Sequence, residues 1–205
     1  MNPPRPPRAV LFDMDGTLTV PNHDFARIKA EMGLRPDTMI LEEMLRLERH
    51  APERLVALEA ILEKHERRAA ETARPQRGAV ELVATLHAAG IETALITRNT
   101  RRFVDVTLER IGMSFDTVIT RDDAEPKPSP APLHLACERL ALFPEETWMV
   151  GDFKYDVLAG RAAGCGATVL LETGQHRPFD HDATFVIREL GELWPLIRNF
   201  VPTIS

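Results

Sequence analysis

The sequence predicts a doubly wound, Rossmann-like α/β fold, with a parallel sheet core and a small all-helical segment inserted after the first strand. Three observations predict it. Short apolar runs recur, and most are continuous rather than alternating, as in strands covered on both faces. Helical patterns separate several of these runs. One stretch, between Val20 and Arg77, contains no strand-like run.

The predicted strands are six apolar runs, at 9–12, 91–97, 116–120, 147–150, 167–171 and 183–187. Helices between them are predicted over 79–89, from Asn99 or Thr100 to Ile111, and from Ser129 onward. Asn, Thr and Ser are residue types that cap helix N-termini, and Pro130 suits the first helical position. The alternation of strand and helix indicates parallel strands joined by crossover helices.

The strandless stretch is predicted to form three helices, near 22–33, 37–49 and 52–74. Ligands of open α/β sheets bind at the carboxyl ends of the strands, and the stretch begins just after the first of those ends. We therefore expect residues 20–77 to form a cap, with 1–19 and 78–205 forming the α/β core. The plain alternative is that these helices simply pack on the sheet.

Composition excludes several classes of protein. The 205 residues carry a net charge of −6, which argues against a general binder of nucleic acid or anionic membranes. No apolar stretch approaches the length of a membrane span, and the N-terminus lacks the apolar region of a signal peptide. Two cysteines do not make a disulfide framework. We expect a cytoplasmic protein, monomeric or dimeric.

Polar residues follow four of the predicted strands. They are Asp13 and Asp15 after the first; Thr97, Arg98 and Asn99 at the end of the second; Lys127 between the third and a helix; and Asp152 and Asp156 after the fourth. In an open α/β sheet these strand ends meet in one crevice. The sequence therefore predicts a site that combines carboxylates, a hydroxyl group and an ammonium group.

Two carboxylates as close in sequence as Asp13 and Asp15 repel each other. A bound cation, a retained proton or full solvation would relieve that repulsion, and Asp13 and Asp152 could share a cation. Several oxygen ligands without a suitable His/Cys cluster favour a hard metal, Mg²⁺ first.

The ordered motifs resemble those of the haloacid dehalogenase (HAD) superfamily: DMDGTL at 13–18, Thr97 at a strand end, KPSP at 127–130 and GDxxxD at 151–156. The resemblance spans 9–171. The insert resembles the helical cap of the subgroup that contains phosphoglycolate phosphatase and β-phosphoglucomutase. The TRN triplet at 97–99 favours phosphoglycolate-phosphatase-like members.

The resemblance implies a role for each motif residue. Asp13 would be the nucleophile, forming an aspartyl-phosphate, and a metal ligand. Asp15 would donate and later accept a proton, and its backbone carbonyl would bind the metal. Thr97 would hydrogen-bond a phosphoryl oxygen. Lys127 would neutralise phosphate charge and hold Asp13.

The remaining candidates complete the implied site. Asp152 would be the second side-chain ligand of Mg²⁺, and Asp156 would act through water or by orienting its neighbours. Gly16 would let the backbone approach the phosphoryl group closely. Arg98 and Asn99 are candidate substrate contacts, although Arg98 has the alternative of a solvated charge. Phe153 departs from the family pattern, since relatives often carry Ser or Thr there.

The expected function is a Mg²⁺-dependent phosphatase acting on a small phosphorylated metabolite through an aspartyl-phosphate. Asp15 favours phosphatases and phosphomutases, because dehalogenases protonate no oxygen leaving group. A phosphomutase and a catalytically silent binding module remain alternatives. A phosphonatase would need a cap lysine in an apolar setting, which neither Lys29 nor Lys64 has.

Overall fold

The structure is a computed structural model that describes residues 5–174, 179 and 181–200. Within them lies a six-stranded sheet made of β1 (Ala9–Phe12), β2 (Glu92–Ile96), β3 (Thr117–Ile119), β4 (Thr147–Gly151), β5 (Ala167–Leu171) and β6 (Phe185–Ile187). The strand order is β3-β2-β1-β4-β5-β6, and each neighbouring pair is parallel. This doubly wound order confirms the predicted fold class.

The described residues also form eight α-helices. They are α1 (Phe25–Glu31), α2 (Ile40–His50), α3 (Pro52–Thr72), α4 (Ala79–Ala88), α5 (Arg101–Ile111), α6 (Ala131–Leu140), α7 (Lys154–Ala163) and α8 (Leu193–Arg198). None of them is long and apolar enough to cross a membrane.

Strand β1 lies in the middle of the sheet. Its residues Val10, Leu11 and Phe12 are fully buried, and successive strand residues point to opposite faces, so both faces of the sheet are covered. On one face Leu11 packs with residues of α6 and α7, such as Leu133 and Ala159. A central strand buried on both sides is a rigid base for the loop that follows it.

The chain divides into two compact units. The α/β unit comprises the described residues up to Pro21 and from Arg74 onward, and the helical unit comprises residues 22–73. The helical unit has a core of its own, formed by Ile28, Met32, Ile40, Leu47, Leu58 and Leu62. It contains α1, α2 and α3, and its described residues include no strand.

Two chain segments of the α/β unit flank the insert and lie side by side. The Val20 N–H donates to the Arg74 carbonyl at 3.0 Å, and the Gln76 N–H donates to the Leu18 carbonyl at 2.8 Å. Thr19 and Pro75 form an antiparallel bridge between them. The insert therefore leaves and re-enters the α/β unit at one point, directly after the loop that carries Asp13 and Asp15.

Candidate active site

The sheet order places three predicted motifs next to one another. Strand β1, which precedes Asp13, lies between β2, which precedes Thr97, and β4, which precedes Asp152. The strand order reverses at β1, and the carboxyl ends of the strands at such a point form the crevice in which open α/β sheets bind ligands. The Asp13 N–H donates to the Val150 carbonyl at 2.9 Å, which continues the β1–β4 ladder into the site.

Three carboxylates meet in this crevice. One oxygen each of Asp13, Asp152 and Asp156 lies within 4.8 Å of the others, and Asp152 and Asp156 are buried. Oxygen donors at this spacing suit a hard divalent cation such as Mg²⁺. The structure therefore brings together the carboxylates of Asp13, Asp152 and Asp156, which the sequence placed at or near the metal. For Asp15 the prediction concerned the backbone carbonyl and not the carboxylate.

Lys127 lies between two members of this cluster. Its Nζ donates to Oδ1 of Asp13 and to Oδ1 of Asp156, each at 2.6 Å, and the residue is only 2% exposed. Burial disfavours the charged ammonium, but the two carboxylates outweigh it and raise the pKa of Lys127 above its ordinary value. A charged Lys127 thus holds Asp13 in place, the contact that the resemblance implied.

Asp13 itself is in an environment that disfavours its charge. Burial raises its pKa well above the ordinary value, and the carboxylates of Asp156, Asp152 and Asp15 raise it further, while Lys127 offsets only part of this effect. A divalent cation beside Asp13 would favour the ionised form, which is the form that can act as a nucleophile.

Asp156 uses both carboxylate oxygens within the protein. Oδ1 accepts from Lys127 at 2.6 Å, and Oδ2 accepts from the backbone N–H of Phe153 at 3.0 Å. The second bond also caps the first turn of α7. Because its donor is a backbone group, this contact does not depend on the side chain at 153, and the unusual Phe153 leaves it intact.

Asp152 is positioned by two residues of the β1 loop. The Thr17 hydroxyl, fully buried, donates to Asp152 Oδ1 at 3.3 Å. Gly16 has a φ of +90°, and a Cβ built there would lie 2.0 Å from Asp152 Oδ2. The carboxylate therefore occupies the space that any other residue at position 16 would fill. This gives Gly16 a second function besides the predicted approach to a phosphoryl group.

Asp15 and the residues after β2 form a second cluster. Asn99 Nδ2 donates to Asp15 Oδ2 at 2.6 Å, and the Asn99 N–H donates to the Thr97 hydroxyl oxygen at 3.2 Å. Thr97 and Asn99 are both buried. Sequence reasoning treated Asn99 as a candidate substrate contact, and the structure gives its amide a carboxylate partner instead. Substrate binding by Asn99 stays a prediction.

Arg98 bridges the two sides of the crevice. Its guanidinium lies 4.9 Å from the ring centroid of Tyr155, at the start of α7, in a cation–π contact. The rings of Tyr155 and Phe153 pack edge to face, with centroids 5.3 Å apart. Arg98 is therefore not simply solvated, although its predicted contact with substrate stays a prediction.

Thr17 is the site residue that sequence reasoning missed. Its position within the DMDGTL motif was visible, but whether its hydroxyl faces Asp152 depends on how the β1 loop lies against the start of α7. The available signal was the hydroxyl residue directly after Gly16, within the motif that carries Asp13 and Asp15.

Comparison with known proteins agrees with this geometry. The family model of haloacid dehalogenase-like hydrolases matches residues 7–164, which cover every motif of the candidate site. The chain belongs to this family. It is a hydrolase of the haloacid dehalogenase type.

Two relatives match over most of their length. A haloacid dehalogenase-like hydrolase domain-containing protein of Arabidopsis thaliana is 33% identical over 94% of this chain and 84% of its own. The pyrophosphatase PpaX of Halalkalibacterium halodurans is 31% identical over 92% and 95%. A HAD family hydrolase of Deinococcus radiodurans, solved with bound phosphate and sodium, shares the fold with a TM-score of 0.70, 23% identity and coverage of 95% and 96%.

Proposed function

We propose that this HAD-family hydrolase cleaves a small phosphate monoester in two steps, through an aspartyl-phosphate on Asp13, with Mg²⁺ in the carboxylate cluster. The observation that carries the proposal is the position of Asp13. Its carboxylate is held at 2.6 Å by a buried lysine and lies among the carboxylates of Asp152 and Asp156. Such an arrangement provides both a nucleophile and the means to bind a metal and a phosphate.

Asp13 and Asp152 would supply the side-chain ligands of Mg²⁺, and the Asp15 carbonyl would supply a backbone ligand. Asp156 suits an orienting role, because its two oxygens already accept hydrogen bonds from Lys127 and Phe153. When bound, the metal would neutralise charge on the phosphate and favour ionised Asp13.

In the first step, a carboxylate oxygen of Asp13 attacks phosphorus, and the bond from phosphorus to the ester oxygen breaks. The electron pair stays on the leaving oxygen, which takes a proton from Asp15. Thr97 would donate a hydrogen bond to a phosphoryl oxygen. Lys127 lowers the repulsion between the anionic nucleophile and the anionic phosphate.

In the second step, Asp15 takes a proton from water, and the water oxygen attacks the phosphorus of the aspartyl-phosphate. The bond between phosphorus and Asp13 breaks, which releases phosphate and restores the carboxylate. Asp15 thus serves first as the acid and then as the base, and the proton that it takes from water restores its protonated form for the next cycle.

We propose that the helical unit, residues 22–73, acts as the cap that selects the ester. Its chain connection supports this, because the insert leaves and re-enters the α/β unit directly after the loop of Asp13 and Asp15. A cap that closes over substrate would exclude bulk water during the first step. We also place the enzyme in the cytoplasm, where free Cys137 and Cys165 would stay reduced.

The test is phosphate release from a panel of phosphate compounds, measured with Mg²⁺ and with EDTA. The panel contains p-nitrophenyl phosphate, phosphoglycolate, sugar phosphates and inorganic pyrophosphate. Magnesium-dependent release from monoesters supports the proposal, and release confined to pyrophosphate replaces it with the activity for which the Halalkalibacterium relative is named.

Two further outcomes separate the remaining rivals. A sugar phosphate that is isomerised without net release of phosphate would identify a phosphomutase. Folded protein that binds Mg²⁺ but turns over no compound of the panel would favour a silent binding module and contradict the proposal.

A further inference from the structure

Asp15 accepts a short hydrogen bond from a neighbouring loop. Asn99 Nδ2 lies 2.6 Å from Asp15 Oδ2, across the gap between the ends of β1 and β2. Asn99 is 9% exposed, so water competes little for this bond. A carboxylate only accepts, so the group that faces it is the amide NH₂ and not its oxygen. The orientation of the Asn99 side chain is therefore fixed by its partner.

The backbone of Asn99 is fixed as well. Its N–H donates to the Thr97 hydroxyl oxygen at 3.2 Å, and its carbonyl accepts from the Arg121 N–H at 3.2 Å. The Arg121 guanidinium donates to the Arg98 carbonyl at 2.9 Å. Arg121, in the turn after β3, thus holds the turn after β2. Asn99, in that turn after β2, in turn holds Asp15.

We infer that Asn99 is the positioning residue of the general acid, and that its amide aims the Asp15 carboxyl at the leaving oxygen. This inference rests on the proposed function. A carboxyl group has a broad terminal torsion, and one strong hydrogen bond to Oδ2 restricts the plane in which the other oxygen lies. In this role Asn99 acts through Asp15 and does not itself touch the reacting atoms.

A positioning role predicts a dependence on the leaving group. An alkoxide leaves phosphorus only with a proton from the acid, whereas p-nitrophenolate leaves with little help. The ratio kcat/KM contains the steps up to cleavage of the ester bond and excludes the later attack of water. Comparing kcat/KM for the two ester types therefore isolates the acid function of Asp15.

The experiment compares Asn99→Ala with the wild type on p-nitrophenyl phosphate and on the alkyl phosphate that the wild type hydrolyses fastest. We expect kcat/KM for the alkyl phosphate to fall about 10- to 100-fold. The loss on p-nitrophenyl phosphate should be about tenfold smaller. Asn199→Ala, an exposed asparagine at the end of α8, is the matched control and should leave both values unchanged.

A double-mutant cycle provides the second measurement. In an Asp15→Asn background, Asn99→Ala should add no further leaving-group-dependent loss, because the carboxyl acid that Asn99 positions is absent. The variants are compared only after thermal unfolding shows that each is folded.

Three results would overturn the inference. The first is an equal loss on both esters, which would indicate a packing or substrate-binding role for Asn99. The second is no loss on either ester, and the third is full additivity with Asp15→Asn. These results require an active wild type, so they leave the proposed function standing. A wild type that is inactive on both esters would remove the proposed function and this inference together.

Discussion

Lys127 and Asp156 form a buried ion pair, with Nζ 2.6 Å from Oδ1, and exposed fractions of 2% and 3% for the two residues. The same Nζ lies 2.6 Å from Asp13. The Lys127 ammonium therefore balances two carboxylates, those of buried Asp156 and of partly buried Asp13, and holds the start of α7 and the β1 loop together. The lysine therefore contributes to the structure of the site, besides the role that we propose for it in the reaction.

Removing the Lys127 ammonium should lower both the stability and the activity of the protein. We expect Lys127→Ala to lower the free energy of unfolding by about 3–5 kcal/mol, since buried Asp156 and partly buried Asp13 lose their cationic partner. Without this donor, kcat/KM should also fall by at least about 100-fold. Urea denaturation and steady-state kinetics measure the two effects.

Lys64→Ala is the control for this prediction. Lys64 also pairs with a carboxylate, that of Glu31 at 3.1 Å, but its side chain is 65% exposed. Its loss should barely move the urea midpoint. Equal destabilisation by the two substitutions would show that the buried Lys127 contributes no more to stability than the exposed Lys64.

The raised pKa of Asp13 predicts how the stability of the metal-free protein depends on pH. Folded Asp13 binds its proton more tightly than the unfolded chain does. The free energy of unfolding therefore falls, through this group, as pH rises from about 4, the ordinary pKa of aspartate, to the folded-state pKa. Below that pH range the raised pKa of Asp13 does not reduce the free energy of unfolding, and above it the reduction has its full size.

Asp13→Asn should remove this pH-dependent loss of stability, because an amide does not titrate in this range. In EDTA, the stability difference between Asp13→Asn and the wild type should therefore grow in favour of the variant as pH rises above about 4. Chemical denaturation at a series of pH values measures it. Parallel curves for the two proteins would contradict the raised pKa.

Gly16 should be intolerant of a side chain because of Asp152. A Cβ at position 16 would lie 2.0 Å from the Asp152 carboxylate, so Gly16→Ala must displace a side chain that we propose as a metal ligand. We expect the Mg²⁺ concentration for half-maximal activity to rise at least about tenfold. Measuring activity against Mg²⁺ concentration tests this.

Gly90→Ala separates that effect from backbone strain. Gly90 has a φ of +71°, but a Cβ there would meet no atom within 4 Å. It should lose about 1–3 kcal/mol of stability from strain alone and keep its Mg²⁺ dependence. If both variants shifted the Mg²⁺ dependence alike, the contact with Asp152 would not be the cause.

Thr17 should tune metal affinity without touching the metal. Thr17→Val keeps the shape of this buried side chain and removes the hydroxyl that donates to Asp152 Oδ1. We expect about tenfold weaker Mg²⁺ binding, measured by calorimetric titration with the metal alone. The partly exposed Thr85, whose hydroxyl donates to a helix carbonyl, offers Thr85→Val as a control with unchanged affinity.

The strands and the doubly wound fold class could be predicted because local and global signals agree. Continuous apolar runs mark β1, β4 and β5, and the structure places each within one residue of its predicted bounds. Helix ends were less predictable. The helix predicted at 22–33 is α1, only Phe25–Glu31, and starts after Asp24, whose side chain caps it.

Long-range contacts explain what the sequence could not predict. Thr100 precedes α5 as predicted, but its side chain makes no capping bond, and Asp122 Oδ2 accepts from the Arg101 N–H at 2.7 Å instead. The bond from Asn99 to Asp15 likewise joins residues 84 positions apart. Motif spacing indicates which residues reach the crevice, whereas side-chain pairing within it depends on how separate loops meet.

The most direct test of the proposed chemistry is phosphate release from p-nitrophenyl phosphate by the wild type and by Asp13→Asn, with Mg²⁺ and with EDTA. We predict release by the wild type with Mg²⁺, almost none with EDTA, and none above background for the folded Asp13→Asn variant. Phosphate release by Asp13→Asn at the wild-type rate would contradict the assignment of Asp13 as the nucleophile.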